Sequence, residues 1–354
     1  MQFGVFILPC WREAVAPTLK QFYEELIDMV VRAEELGWDR AWSSEHHFHY
    51  YGGASPNPAM TLLAYARATK TIRLGSGVSL LPMNDGIRVA EDFAMLDQLS
   101  GGRLDFGVGR GYLPHEFQGF AVTEDMTAGR FDEAFEIIQR AWAGERFAFE
   151  GDHYNFDELE IHPKPAQDPV PIWCACSRAR PSYEWTGRNA YALMMNQYPM
   201  SLADAKERLT WFKDAYAEAG HDPARREAMM SLFLHVADSE EQAIAESKPA
   251  VQEHANLFRL LFTGDRWNTD YEGDESVFEF ITGGSKDVTS AFRERTAIGT
   301  VEQICDRIAM YRDLGFTEIS FVTRYGTLSH EQALRNIRIA SEEIIPRFRR
   351  ARAA

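Results

Sequence analysis

Short apolar runs alternate along this chain with longer segments of helical periodicity, and the runs count to eight. The expected strands are Phe3 to Leu8, Arg40 to Ser44, Arg73 to Leu80, Leu104 to Gly109, Pro171 to Cys176, Ala190 to Met195, Met230 to Ala237 and Glu318 to Thr323. Between them, about Leu19 to Leu36 places Phe22, Leu26, Met29, Val30, Ala33 and Leu36 on one helical face. Similar faces run over Arg88 to Leu99, Ala128 to Ala143, Ser201 to Ala219, Ser239 to Leu260, Val301 to Leu314 and His330 to Phe348. Ser201 and Ser239 stand as hydroxyl caps before acidic first turns, while Gly144, Gly220 and Gly315 sit where helices should stop. A strand such as Ile172-Trp173-Cys174-Ala175-Cys176 is apolar on both faces, as in a parallel sheet covered by helices on both sides. An α/β fold closed as a TIM (β/α)8 barrel with insertions fits the count best.

With 354 residues the chain is long for one domain, yet barrels of this kind absorb insertions, so residues 1–354 are expected to form a single domain. Two segments break the alternation. Residues 146–169, with Gly151, His153-Tyr154 and three prolines, read as an insertion carrying a small hairpin. Residues 263–298 are polar and rich in Gly and Asp, as expected of a lid that closes over a site.

A formal net charge of -16 opposes binding to nucleic acid or anionic membrane surfaces, both of which select for excess Lys and Arg. No stretch approaches the roughly 20 apolar residues of a membrane span, and the N-terminal run lacks a charged n-region, so a cytoplasmic protein is expected. Cys10, Cys174, Cys176 and Cys305 are too few for a disulfide framework and are expected as reduced core thiols, with no metal site.

The chemistry concentrates in Trp42-Ser43-Ser44-Glu45-His46-His47-Phe48, where a carboxylate and two imidazoles follow the second strand. In a parallel barrel the loops after the strands form the mouth of the site. Adjacent residues at a strand end point apart, which disfavours a two-His-one-carboxylate iron centre. An imidazole exchanges a proton near neutrality, although it can equally serve as a plain hydrogen-bonding group at the mouth. Further along, Pro181 and Ser182 open a predicted helix after Ser177-Arg178-Ala179-Arg180, an anion site in the making. Gly75-Ser76-Gly77-Val78 is glycine-rich for a buried strand and marks either a β-bulge or an unusual peptide geometry.

An ordered set of segments resembles the bacterial luciferase-like flavin-dependent monooxygenases across almost the entire chain: Phe3-Gly4-Val5-Phe6, Glu45-His46-His47-Phe48, Leu80-Leu81-Pro82, Glu91-Asp92, Ser100-Gly101-Gly102-Arg103 and Phe106-Gly107-Val108-Gly109-Arg110-Gly111. The resemblance implies a TIM barrel binding FMN at the C-terminal ends of its strands. It also implies a two-component reaction in which a separate NAD(P)H-flavin reductase delivers reduced FMN as co-substrate, dioxygen adds to form a flavin 4a-hydroperoxide, and a small, mostly apolar substrate is oxygenated. His46 matches the family's catalytic histidine, with Glu45 and His47 as its orienting neighbours. Arg110 and Arg130 match its phosphate-binding arginines, Arg130 being alternatively a surface helix residue. Ser177, Arg178, Ser182 and the amide of Tyr183 match its phosphate loop, and Gly77-Val78 the place of a non-proline cis peptide under the flavin ring. Some luciferases carry a cysteine where this chain has Gly109, so extra space beside the flavin is expected there, with Gly107 and Gly109 admitting close backbone approach.

Of the apolar residues near strand ends, Phe6, Trp42, Tyr112, Trp173 and Met195, only Phe6 and Tyr112 are assigned to the substrate side. The family also implies a homodimer, formed through 58–67 and 88–99 with Met60, Leu63, Phe93 and Met95. Two other readings stand beside the monooxygenase: a deazaflavin-dependent hydride-transfer oxidoreductase on the same barrel, and a non-catalytic flavin-binding protein. Retention of both His46 and Arg110 argues for an enzyme.

Overall fold

The computed structural model describes residues 1–144, 146–196, 200–261 and 294–349. Eight parallel strands close a barrel: β1 (Gln2–Ile7), β2 (Arg40–Ser43), β3 (Arg73–Ser76) continued by β4 (Ser79–Leu80), β5 (Leu104–Gly109), β8 (Ile172–Ala175), β9 (Ala192–Asn196), β10 (Ala228–Val236) and β12 (Glu318–Val322). Each pairs in parallel with the next, and β12 returns to β1 through Gln2 opposite Glu318 to complete the ring. Helices α1 (Leu19–Glu35), α2 (Pro58–Ala68), α3 (Gly86–Ser100), α4 (Pro114–Gly119), α5 (Met126–Ala143), α6 (Arg180–Arg188), α7 (Leu202–Glu218), α8 (Glu240–Leu260), α9 (Val301–Leu314) and α10 (His330–Ile339) occupy the connections. This is the TIM-type barrel expected from the alternation.

Several boundaries differ for local reasons. The expected third strand divides into β3 and β4 at a cis Gly77-Val78 peptide, so the glycine-rich stretch is this irregularity. The sixth strand begins at Ala192 because Ala190 sits in a turn at φ 56. The final helix ends at Ile339 and passes through a π turn and a 3-10 turn, since Pro346 has no amide to continue the ladder. Strands β6 (Phe147–Glu150) and β7 (Asn155–Leu159) form the hairpin within 146–169. The 263–298 segment lies mostly outside the described residues; its end enters β11 (Ala297–Gly299), a three-residue strand beside β10 too short to read from sequence.

Period-2 alternation sends two residue sets to opposite sides of each strand. Phe3, Val5, Ala41, Leu74, Phe106 and Met195 join the core between barrel and helices, so Met195 belongs there and not to the mouth. Inside the barrel, the floor is ionic: Arg40 donates to Asp105 at 2.9 Å and to Glu318 at 2.6 Å, and Arg73 reaches Asp105 at 2.8 Å. These carboxylates hold the Arg40 guanidinium above its ordinary pKa, while burial raises that of Glu318. Trp42, Trp173, Met194 and Met229 plug the barrel above that floor, with Phe6 and Val78 packed on top. Gly75 is required here, because any side chain would overlap the Trp42 ring. The barrel is therefore solid up to its mouth, and only the strand ends are available for a site. Among the described residues no helix is long and apolar enough to cross a membrane.

Candidate active site

The β2 strand delivers the loop Glu45–Phe48 to the mouth, where hydrogen bonds fix each polar group. Glu45 is 2% exposed and accepts from Leu80 N at 3.0 Å, Asn84 Nδ2 at 2.8 Å and His47 Nε2 at 3.1 Å. A carboxylate so occupied positions its neighbours and ties the β2 loop to the end of β4; it is not free to exchange protons with a substrate. His47 is correspondingly committed to Glu45, and its ring stands edge-on to Phe120 at 4.7 Å. Thus Glu45 and His47, grouped with His46 as its orienting neighbours, support the loop that carries it.

His46 is held differently. Its Nδ1 lies 3.0 Å from Glu116 Oε1, and the same oxygen accepts from the His47 amide at 2.9 Å. Its ring faces Tyr51 at 5.1 Å and Tyr112 edge-on at 6.1 Å. Glu116 is fully buried on α4, a six-residue helix that Pro114 opens after the Arg110-Gly111-Tyr112 turn. The adjacent His115 clasps the His47 carbonyl through Nε2 at 2.9 Å. Sequence reasoning missed Glu116; the available signal was an acidic residue just beyond the end of a barrel strand. It also missed His254 of α8, whose ring lies 5.2 Å from Tyr51 and whose pKa is pushed down to about 3 by burial and by the nearby His46. Cys10 supports the same wall, its sulfur accepting from Gly52 N at 3.2 Å, and burial raises the thiol to about 12, leaving it unreactive.

A second cluster forms where β4, β5 and β8 end side by side, with Leu80 opposite Gly109 and Val108 opposite Cys174. This register places Arg110 beside Cys176 and Ser177. Arg110 rests over the Phe131 ring at 5.5 Å and has no carboxylate partner among the described residues. Arg178 is exposed and likewise forms no ion pair among them, whereas Arg180 is bound to Glu184 at 2.7 Å. Helix α6 starts at Arg180 with Ala179 as its cap residue and no side-chain capping bond, which leaves its positive dipole end open.

Other expected positions are placed more narrowly. The Ser182 amide already donates to Ala179 O at 3.0 Å, so its hydroxyl is what remains to offer. The Tyr183 ring is fully buried and its hydroxyl donates to Cys176 O at 3.0 Å, so the side chain braces the loop from behind. Arg130 donates from Nε to Pro82 O at 2.6 Å and lies over the Tyr154 ring at 5.2 Å, anchoring α5 to the β4 exit. Gly109 does not open space: a Cβ there would lie 2.5 Å from Val78 Cγ2, so the valine already fills it. The room at Gly107 is likewise taken by the Ser76 carbonyl of the neighbouring strand. Phe6 is half-buried against Gly77, Trp42 and Val78, whereas Tyr112 is 49% exposed and touches His46 directly. Among the described residues no His, Cys, Asp and Glu grouping could hold a metal ion.

Several known proteins are similar to this chain in sequence and fold. The model of the family described as luciferase-like monooxygenase matches residues 1–318. The oxygenase component of a flavin-dependent trigonelline monooxygenase from Acinetobacter baylyi is 29% identical, over 98% of this chain and 96% of its own length. A crystal structure of a monooxygenase from Streptomyces bottropensis superimposes with a TM-score of 0.84 at 28% identity, covering 99% of this chain and 100% of the other. An F420-dependent glucose-6-phosphate dehydrogenase from Nakamurella multipartita is 27% identical over 92% of each chain.

Proposed function

We propose that this chain, which belongs to the luciferase-like monooxygenase family and shares its flavin-dependent enzyme class, is the FMN-dependent oxygenase of a two-component system acting on a small, mostly apolar organic molecule. The observation that carries this reading is the pairing of an unneutralised cation cluster, Arg110 and Arg178 beside the uncapped start of α6, with the buried-carboxylate-anchored His46 across the same mouth. The first suits a phosphate dianion and the second a proton-exchanging step.

These groups fit FMN on their own chemistry. Two guanidiniums with no ion pair among the described residues and an open helix N-terminus offer more positive potential than the fold needs for itself, and the Ser177 and Ser182 hydroxyls add donors. The cis Gly77-Val78 peptide and the Val78 side chain line the floor between that cluster and the barrel plug, where a flat ring system would rest. When bound, reduced FMN supplies the two electrons that activate dioxygen for insertion into the substrate. The protein's part is to grip the phosphate, seat the ring, hold His46 ready to give or take a proton at Nε2, and keep water away with Tyr51, Tyr112 and Phe258. A separate NAD(P)H-flavin reductase supplies the reduced flavin, in keeping with a relative named as an oxygenase component. A homodimer fits the exposed Met60 of α2 and Met95 and Leu99 of α3; Phe93, expected at that contact, is buried in the core instead.

Anaerobic titration of the protein with reduced FMN, reduced riboflavin and reduced F420 tests the reading. The expected order is FMN tightest. Arg110→Ala should weaken FMN by about 10- to 100-fold, the loss of one charged hydrogen bond, and leave riboflavin unchanged. Preference for F420 over FMN would replace this reading with hydride transfer on the same barrel.

A further inference from the structure

The hydrogen bonds around His46 contain more than an orienting contact. Oε1 of Glu116 receives two approaches, one from His46 Nδ1 at 3.0 Å and one from the His47 amide at 2.9 Å. The amide can only donate, so Oε1 accepts from it, and as a carboxylate or carbonyl oxygen it accepts from the ring through its second lone pair, with Nδ1 as the donor. This holds whether Glu116 is ionised or carries a proton on its other oxygen. That oxygen, Oε2, is buried and forms no hydrogen bond among the described residues, and none of them draws the carboxyl group round to present it to the imidazole. Nδ1 must therefore be the protonated ring nitrogen.

We infer that Glu116 is the positioning residue of this site: it fixes His46 in the Nδ1–H tautomer and leaves Nε2 as the nitrogen that exchanges a proton with bound reactants. The inference rests on the proposed catalytic use of His46, but the tautomer itself is a property of the free protein. The construction behind it is specific. Pro114 sets the first turn of α4 and His115 ties that turn to the His47 carbonyl at 2.9 Å. Gly119 lets the ring of Phe48 pack directly on the helix backbone, and Phe48 itself is held at φ 58. The four-residue acidic-histidine loop and the short helix thus lock together through His46, His47 and Phe48. Other titratable groups facing His46 come from separate elements, Tyr51 from its own loop, Tyr112 from the β5 exit and His254 from α8. His254 stays neutral at ordinary pH and contributes no charge there, so the carboxylate is the group that sets the ring's proton.

The test is two-bond 1H–15N NMR on ring-labelled histidine in the flavin-free protein, with the His46 signals assigned by their loss in His46→Gln. The wild type should show Nε2 bare and Nδ1 protonated above the imidazole titration. Glu116→Gln keeps an acceptor oxygen and should keep that tautomer while removing the charge. Glu116→Leu removes the acceptor and should move the proton wholly or partly to Nε2. With reduced FMN, dioxygen and a turnover substrate, Glu116→Leu should lower kcat about 100-fold with little change in KM, and Glu116→Gln should lower it less while shifting the pH profile. A wild-type His46 protonated at Nε2, or a tautomer unchanged in Glu116→Leu, would overturn the inference; the wild-type spectrum decides even where the leucine variant does not fold. Failure of FMN to bind would count against the proposed function and leave the tautomer result standing.

Discussion

Replacing Gly109 by alanine tests whether the floor of the mouth is already full. The backbone of Gly109 is not in the left-handed region, so alanine is conformationally allowed and the effect reports packing alone. Its Cβ would meet Val78 Cγ2 at 2.5 Å, about 1 Å inside an ordinary contact, and Ala175 Cβ at 3.8 Å blocks retreat on the other side. Val78 is β-branched and stiff at χ1, and it is packed against Trp42 and Trp173, so it cannot rotate away freely. Overpacking of this kind costs about 1–3 kcal/mol. Across 354 residues the unfolding entropy is about 0.7 kcal/mol/K, so Tm should fall by roughly 1–4 °C. Val78→Ala alone should cost roughly 1–3 kcal/mol by leaving a cavity, yet Gly109→Ala in that background should cost almost nothing. Differential scanning calorimetry of the four proteins gives the coupling, expected at about 1 kcal/mol or more. Strictly additive losses would refute the contact as the reason for the glycine.

Three further outcomes follow from the same geometry. Arg40→Met strips the floor of its central cation and leaves Asp105 and Glu318 buried without it, which should cost about 3–5 kcal/mol in urea denaturation; a loss under 1 kcal/mol would show that the network is dispensable. His254 has a folded pKa of about 3 against an ordinary value of 6.5, so the unfolded chain takes the proton first and stability falls as pH drops below 6.5. His254→Phe keeps a ring against Phe233 and Tyr51 and should reduce the stability lost between pH 6.5 and 5 by about 2 kcal/mol, measured by urea denaturation at both values; parallel curves would contradict the assignment. For the dimer, Met60, 71% exposed on α2, is the most open apolar side chain of the α2–α3 face, and Met60→Glu should convert a sedimenting dimer into a monomer; a wild type that already sediments as a monomer would remove that interface.

The barrel was legible because its strands carry their own signature. Strands that are apolar on both faces, such as Ile172–Ala175, have few alternatives to a covered parallel sheet, and amphipathic helices between them supply the cover. The interruption at Gly77-Val78 was legible too, since glycines are poor material for a buried strand and therefore mark a local exception. What a glycine accommodates was not legible. Gly75 admits the Trp42 indole and Gly109 admits Val78, and both partners come from other segments or a neighbouring strand. An absent side chain tells the reader that something approaches, and only the fold says whether it is a ligand or the protein itself.

The same distinction separates the two carboxylates of the site. Glu45 attracts notice because it adjoins two histidines, yet proximity in sequence makes it a brace: within one loop it reaches His47 and then spends its remaining oxygen capacity on Leu80 and Asn84. Glu116 is 70 positions from His46 and lies in a helix too short to show periodicity, so its place shortly after a strand end is the one local mark it carries. It meets His46 because β2 and β5 end at the same rim, two strands apart in the ring, and because the turn after β5 folds back over the β2 loop. In a parallel barrel the residues that complete a site come from different strand ends by construction. An imidazole anchored by its own loop would move whenever that loop moves. One anchored from a βα unit two strands away holds its tautomer only while the two units stay docked, which makes α4 the element on which the readiness of His46 depends.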